Sequence, residues 1–347
     1  MAAALAAAAL FGASAPLAKI LLRDVPPLVL SALLYLGAGI GLVATSALSR
    51  ATGIARGASG LRRADAPLLL GMVVAGGILA PLLMMLGLAR VSGVAGALLL
   101  NLEAPFTIGL AVAALGEPFG RREALASAAI LAGSCLLALG GGAGSGSDPV
   151  GAAAVAGACA CWAIDNTLTQ RLSGRDPVVV AGTKSLLAGT ASALLAATLG
   201  GTLPPAETTV AASLLGFASY GASLVLVVAA MRSLGAAREA ALFSTAPFAG
   251  ALLAVPLLGE TLGPRELAAG ALMAVGVASL AAAGSPDLHE HAEQEHEHAH
   301  RHDEHHLHDH ASGDPPGEPH VHRHRHDRLR HAHAWASDGH HGPATEA

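Results

Sequence analysis

The sequence predicts an all-α integral membrane protein: ten transmembrane helices arranged as two inverted five-helix repeats, followed by a disordered, histidine-rich tail. Three observations predict it. The 347 residues are 53% hydrophobic but only 13% charged, about half the charge of an ordinary soluble domain. Apolar runs of about 20 residues recur, the length a helix needs to cross a bilayer core about 30 Å thick. All 18 histidines lie between His289 and His341, so an apolar body up to about Gly284 is joined to a polar tail. This division argues against a soluble enzyme with one core, and three cysteines are too few for a disulfide scaffold.

The spans follow in order. Apolar stretches cover 2–22, 27–48, 66–88, 93–115, 123–141, 150–171, 178–199, 209–231, 236–258 and 265–283. Polar or Pro/Gly-containing breaks separate them, among them Arg23-Asp24, Arg50 to Asp65, Gly116-Glu117-Pro118 and Gly140 to Asp148. The first stretch lacks the basic region of a signal peptide and continues apolar to Leu22, so it is taken as a membrane helix. Helices are preferred to a barrel because the runs are continuous rather than alternating, and a spanning segment must satisfy its own backbone. The 42 glycines and many alanines suit close helix approach in lipid.

Charge sets orientation. With the N-terminus cytoplasmic, the inner loops hold Arg50, Arg56, Arg62, Arg63, Arg121, Arg122, Arg171, Arg175, Arg232 and Arg238, and the outer loops Arg23, Arg90 and Arg265. Positive charge concentrates inside, so both termini are expected in the cytoplasm, in a plasma or inner membrane. Residues 1–284 carry a net +3 and residues 285–347 a net −8. Neither part has the basic face of a nucleic-acid binder.

The body contains a repeat. A shift of 142 places Arg90, Gly93, Ala95, Leu100, Ala104, Pro105 and Phe106 on Arg232, Gly235, Ala237, Leu242, Ala246, Pro247 and Phe248. After one inserted residue, Leu115-Gly116-Glu117 falls on Leu258-Gly259-Glu260. The expected units are 1–143, 149–284 and the tail 285–347. Five spans per half is an odd number, so the halves enter the membrane in opposite directions, a signature of secondary transporters with a midplane site.

With Ala-Pro-Phe followed by Leu-Gly-Glu and a final Gly-rich helix in each half, residues 5–283 resemble the EamA-type permeases of the drug/metabolite transporter superfamily. The resemblance implies a ten-helix exporter or exchanger of small metabolites with a central cavity and cytoplasmic termini. It departs from the family pattern where Phe11 takes the place of an early Trp, kept as Trp162 in the second half. It departs again where Leu33 replaces the basic residue that Lys184 supplies seven positions after Pro177.

Ionisable groups inside spans are costly and face a cavity or a partner. The candidates are Lys19, Glu103, Asp165, Lys184 and Glu239. Cys161, Asp165 and Thr169 are four apart on one helix face, with Trp162, Asn166 and Gln170 on the neighbouring stripe. Asp165, Asn166, Lys184, Glu103, Lys19, Trp162 and Thr245 are therefore expected on a solute path, with Lys184 as the counter-charge of Asp165. Glu103 precedes Pro105 as Thr245 precedes Pro247, and prolines there kink helices; Glu103 is the candidate for a coupling proton. Glu117 and Glu260 follow glycines at helix ends and suit capping or interface roles. Arg238-Glu239 is placed at the cytoplasmic end of the ninth span. Cys159-x-Cys161 points its thiols about 200° apart on a helix, so they cannot share a metal. The run Gly140 to Ser147 lacks a phosphate loop's Gly-Lys-Ser/Thr ending. The body has no histidine and no Ser-His-Asp set, so no enzyme is expected.

In the tail, His296, His298, His300, His302, His305, His306, His308, His310, His320, His322, His324, His326, His331 and His333 alternate with acidic and other residues. Neutral imidazoles suit Zn, Ni or Co, and the composition predicts disorder. No cofactor is required by this reading. The expected partners are the lipid bilayer and a small-molecule or ion substrate, and a homodimer is compatible. The function expected is secondary transport of a small solute, with a tail that binds or senses metal. The alternatives are export of a divalent transition metal, and a membrane metal buffer or sensor that transports nothing.

Overall fold

The computed structural model describes residues 1–51, 60–115, 119–139, 148–172 and 174–283, and backbone at 288–291, 294–300, 320–326 and 329–332. Glu117, His302, His305, His306, His308, His310 and His333 lie outside the described residues. The chain divides into Met1–Ala283 and Gly284–Ala347.

The body is helical. Its elements are α1 (Ala2–Gly12), α2 (Ser14–Leu21), α3 (Pro27–Ala51), α4 (Ala66–Met72), α5 (Ala80–Leu88), α6 (Gly93–Leu99), α7 (Glu103–Leu115), α8 (Arg121–Leu139), α9 (Pro149–Gln170), α10 (Pro177–Thr198), α11 (Ala206–Gly216), α12 (Ser223–Leu234), α13 (Ala236–Phe243), α14 (Ala246–Leu258) and α15 (Pro264–Ala283). Wider π-helical turns join α4 to α5 (Val73–Leu79) and α11 to α12 (Phe217–Ala222), and a 3-10 turn, Leu100–Leu102, joins α6 to α7. Among the described residues, nine helical segments are long and apolar enough to cross a membrane. The sixth expected span, α9, is a 22-residue helix outside that set. It is as long as its neighbours but carries Asp165, Asn166, Thr167, Thr169 and Gln170, which lower its hydropathy.

Pro105 and Pro247, expected at kinks, sit where helical elements restart. Pro105 lies in the first turn of α7 and Pro247 in the first turn of α14. A first-turn residue needs no intrahelical N–H, so a proline there costs little. The two halves repeat these interruptions. The π turns come at matching places in the third and eighth of the expected spans, and the breaks at Leu100–Leu102 and at Ser244-Thr245 match in the expected fourth and ninth.

Packing repeats too. α3 packs on α10, α8 on α15 and α6 on α14, each pair formed by corresponding spans of the two halves, while α5 packs on α9 and α12 on α1. Glycine makes the contact of α8 with α15 possible. A Cβ on Gly133 would lie 2.8 Å from the Ala269 carbonyl oxygen, and one on Gly276 would lie 2.7 Å from that of Ala126. The interior is lined by Ala, Gly and Leu, while Ile40, Leu194, Leu214, Leu252 and Val275 are exposed on the outside. Small residues at the helix contacts are the arrangement expected of helices packed in lipid.

In the tail, β1 (Leu288–His291) pairs antiparallel with β4 (Leu329–Ala332), and β2 (Gln294–His300) with β3 (His320–His326). His296, His298 and His300 stand opposite His324, His322 and His320, and Glu295 and Glu297 stand opposite Arg325 and Arg323. The alternation has the period of a strand, and it brings opposite charges to facing positions.

Candidate functional site

The third span and α9 run antiparallel and build the polar centre of the body. Contacts along the pair run in opposite sense: Asp65 meets Arg175, Gly71 meets Leu168, Gly76 meets Asp165, Gly87 meets Gly151, and Arg90 meets Asp148. An ion pair therefore closes each end. Arg175 donates to both carboxylate oxygens of Asp65, Nε at 2.8 Å and Nη2 at 2.9 Å. Asp65 also accepts from the Arg62 N–H at 2.7 Å. At the other end, Arg90 Nε donates to Asp148 Oδ2 at 2.7 Å, and Asp148 Oδ1 caps α9 at the Val150 and Gly151 N–H groups. The Arg90 guanidinium, then the cap N–H groups, hold the Asp148 carboxyl below its ordinary range.

Asp165 lies between these ends. Lys184, on α10, donates to Asp165 Oδ2 at 2.6 Å. Both side chains are largely buried, and among the described residues Asp165 Oδ1 has no hydrogen-bond partner. One helical turn along α9, Thr169 Oγ1 bonds the Asp165 carbonyl at 2.8 Å. On the adjoining stripe, Asn166 Nδ2 donates to Glu103 Oε1 at 2.7 Å. The structure thus brings together Asp165, Lys184, Asn166 and Glu103, with Trp162 on the same helix.

Two residues of this centre were not singled out from the sequence. Gly76 is needed because a Cβ there would lie 2.3 Å from Asp165 Cγ and Oδ2. Tyr35, buried on α3, donates from its hydroxyl to the Gly76 carbonyl at 2.7 Å. The reason lies five residues on. In a π-helical turn the carbonyl of residue i bonds the N–H of i+5, as Ala75 does with Ala80. The next partner would be Pro81, which has no N–H. Gly76 is left with a free carbonyl, and in a bilayer such a group must be satisfied by protein. Pro81 is the sequence signal that could have found this site. In the second half, the matching Ser219 carbonyl accepts from the Ser223 hydroxyl, and Ser219 Oγ bonds the Leu10 carbonyl at 3.0 Å. The two halves therefore differ in chemistry at corresponding places: an ion pair in one, neutral hydroxyls in the other.

Other sequence-selected residues serve elsewhere. Lys19 donates to the Leu88 and Val91 carbonyls at 2.7 and 2.5 Å, closing the end of α5. Glu260 accepts from the Gly93 and Val94 N–H groups at 2.6 and 2.8 Å, capping α6 from the other half. Thr245 is exposed, and its hydroxyl returns to the Leu242 carbonyl at 2.7 Å. Lys19 and Thr245, both expected on a solute path, each place a polar group on a backbone carbonyl freed at a helix end. Cys159 and Cys161 are free thiols. Among the described residues, no group of three or more His, Cys, Asp or Glu is positioned to hold a metal.

An apolar helical body with breaks repeated in both halves and a buried charge cluster defines a multi-pass membrane protein of the transporter class. The profile of the EamA-like transporter family matches residues 1–139 and again 149–282, and the chain belongs to that family. It is 29% identical, over 282 residues, to a protein of Methanothermobacter thermautotrophicus described as an uncharacterized transporter; the match takes in 77% of this chain and 81% of that protein. A solved crystal structure is similar in fold, with a TM-score of 0.58 and 22% identity over 80% of this chain and 96% of its own.

Proposed function

We propose that this chain is a secondary transporter, an exporter or exchanger of a small solute, in which ten spans form two inverted five-helix repeats. α9 is the sixth span in this reading. Both termini face the cytoplasm, in line with the placement of arginines between the spans. The solute path runs past Asp165, Lys184, Asn166 and Glu103. One observation carries the proposal: a buried Asp165–Lys184 pair whose Oδ1 has no partner, set in an otherwise apolar bundle. Leaving a buried carboxylate oxygen unsatisfied is expensive, and a passing solute would supply the missing donor. The two family matches and the interruptions repeated between halves support the arrangement of repeats.

The experiment is a comparison of metabolite export from cells with the native chain, with none, and with Asp165→Asn at equal membrane abundance. Loss of the chain-dependent export in Asp165→Asn is expected, whereas unchanged flux would remove Asp165 from the path. Glu103 is the coupling-proton site in the same proposal, so flux by the native chain should follow an imposed pH gradient and flux by Glu103→Gln should not. The tail binds Zn, Ni or Co through its histidines, a reading supported by the ligand chemistry of neutral imidazole. Equilibrium dialysis should find that metal bound by the full chain and lost on deletion of 285–347.

A further inference from the structure

Glu239 is a charged residue that the proposed path leaves unused. It lies in the first turn of α13, is 5% exposed, and its Oε1 has no hydrogen-bond partner. Among the described residues, only Asp165 shares that condition of a buried carboxylate oxygen without a partner. One turn beyond Glu239, on the same helix face, is Phe243. Phe243 packs on Phe11 with ring centroids 5.3 Å apart. Phe11 meets Tyr220 edge-on at 6.0 Å, and Tyr220 meets Tyr35 at 5.8 Å. Tyr35 bonds Gly76, on which Asp165 rests. The chain has only ten aromatic residues. Four form this row, and Trp162 stands beside Tyr35 at its inner end. The row connects the two carboxylates whose oxygens lack partners.

Aromatic faces carry partial negative charge and attract cations within about 6 Å of the ring. Anions gain nothing from such faces and are repelled by Glu239 at the outer end, while at the inner end Lys184 offsets Asp165 and leaves the Glu103 carboxyl beside it. Alkyl surface alone would serve a neutral apolar solute, and alanine and leucine, which fill the rest of the bundle, would supply it.

We propose that Glu239 is a second binding station, reached from Asp165 along the aromatic row, and that its ligand is a small organic ammonium ion. The inference rests on the reading of the Asp165 cluster as the solute path and gives that path a charge preference. Glu239 holds the ammonium group at one end of the row, and Asp165 and Glu103 receive it at the other.

The test uses the full chain in lipid nanodiscs with Trp335→Phe, which leaves Trp162 as the one indole. Phenethylammonium is the probe and phenylacetate its anionic counterpart. The expected result is a saturable change in Trp162 fluorescence with phenethylammonium alone. Glu239→Gln and, independently, Phe243→Leu should each raise the half-saturating concentration about tenfold, the scale of losing one charge-assisted or cation–π contact. Glu239→Asp, which keeps the charge, should bind nearly as the parent does and shows that the position tolerates substitution. An unaltered response in both Glu239→Gln and Phe243→Leu overturns the second station, while dependence on Asp165 would leave the path reading standing. A response to phenylacetate but not phenethylammonium, or to neither, overturns the cation preference, and the export assay of Asp165→Asn then judges the path separately.

Discussion

Replacing Gly76 by alanine adds one methyl group at the place where the third span meets the charged residue of α9. The new Cβ would lie 2.3 Å from Asp165 Cγ and Oδ2 and 2.5 Å from Asp165 Cβ. Carbon atoms approach comfortably at about 3.5–4.0 Å, so the overlap exceeds 1 Å. Rotating the carboxylate away relieves two of these contacts but removes the 2.6 Å bond to Lys184. The third involves the Asp165 Cβ, which rotation about its own bond cannot move, so the helices must also part. Overpacking of this kind costs about 1–3 kcal/mol, and breaking a buried ion pair about 3–5 kcal/mol. Partial relief of both gives an expected loss of about 3 kcal/mol. The assay is reversible unfolding of the purified protein in mixed detergent micelles, followed by export measurements. A double-mutant cycle supplies the control. In an Asp165→Ala background two of the three close contacts are gone, so Gly76→Ala should cost about half as much. An equal cost in both backgrounds, or a loss below about 0.5 kcal/mol in the native one, would refute the argument that glycine is there to seat Asp165.

Tyr35→Phe keeps the ring but leaves the Gly76 carbonyl without its donor, and should lower unfolding stability by about 1–3 kcal/mol; no change would mean another group satisfies it. Gly276→Ala drives a methyl group to 2.7 Å from both the Ala126 carbonyl oxygen and Ile130 Cγ1. It should cost about 1–3 kcal/mol in the same unfolding assay, and neutrality would contradict the close packing of α8 on α15. Asp148→Asn keeps the cap of α9 but removes the charge facing Arg90. Because the folded carboxyl sits below its ordinary range, its stabilisation is complete above about pH 5 and disappears as pH falls through the lowered value. The native protein and the Asp148→Asn variant should therefore differ in melting temperature at neutral pH and converge in acid; a gap that widens in acid would show the sign to be wrong.

Much of the body was legible because lipid punishes charge. A carboxylate and a lysine inside apolar runs stand out in any reading, and helical spacing placed Asn166 and Trp162 on the stripe beside Asp165. The pairing of Lys184 with Asp165 followed from there being few opposite charges to choose between. The backbone bonds of Lys19 and Thr245 were not legible, since a sequence does not reveal which helix ends need their carbonyls satisfied. Gly76 and Tyr35 were missed for a related reason. Their importance depends on a π-helical turn in front of Pro81, and glycine is too common in this chain to attract notice. The ion pairs of Asp65 with Arg175 and Arg90 with Asp148 join residues more than fifty positions apart. They depend on the antiparallel register of the third span against α9, which composition and periodicity do not specify. The polar residues through which α9 meets Lys184 and Glu103 also lower its hydropathy, which makes it the least evident of the expected spans.

The central claim is that a solute path runs past Asp165, and in a secondary transporter such a path opens to each side of the membrane in turn. The direct test replaces Cys135, Cys159 and Cys161 with alanine, introduces Asn166→Cys, and applies a membrane-impermeant thiol reagent to right-side-out and to inside-out vesicles. The account predicts that the thiol introduced by Asn166→Cys is labelled from both sides, with the accessible side changing in proportion when export is driven. Labelling from one side alone under every condition, or from neither, would contradict it.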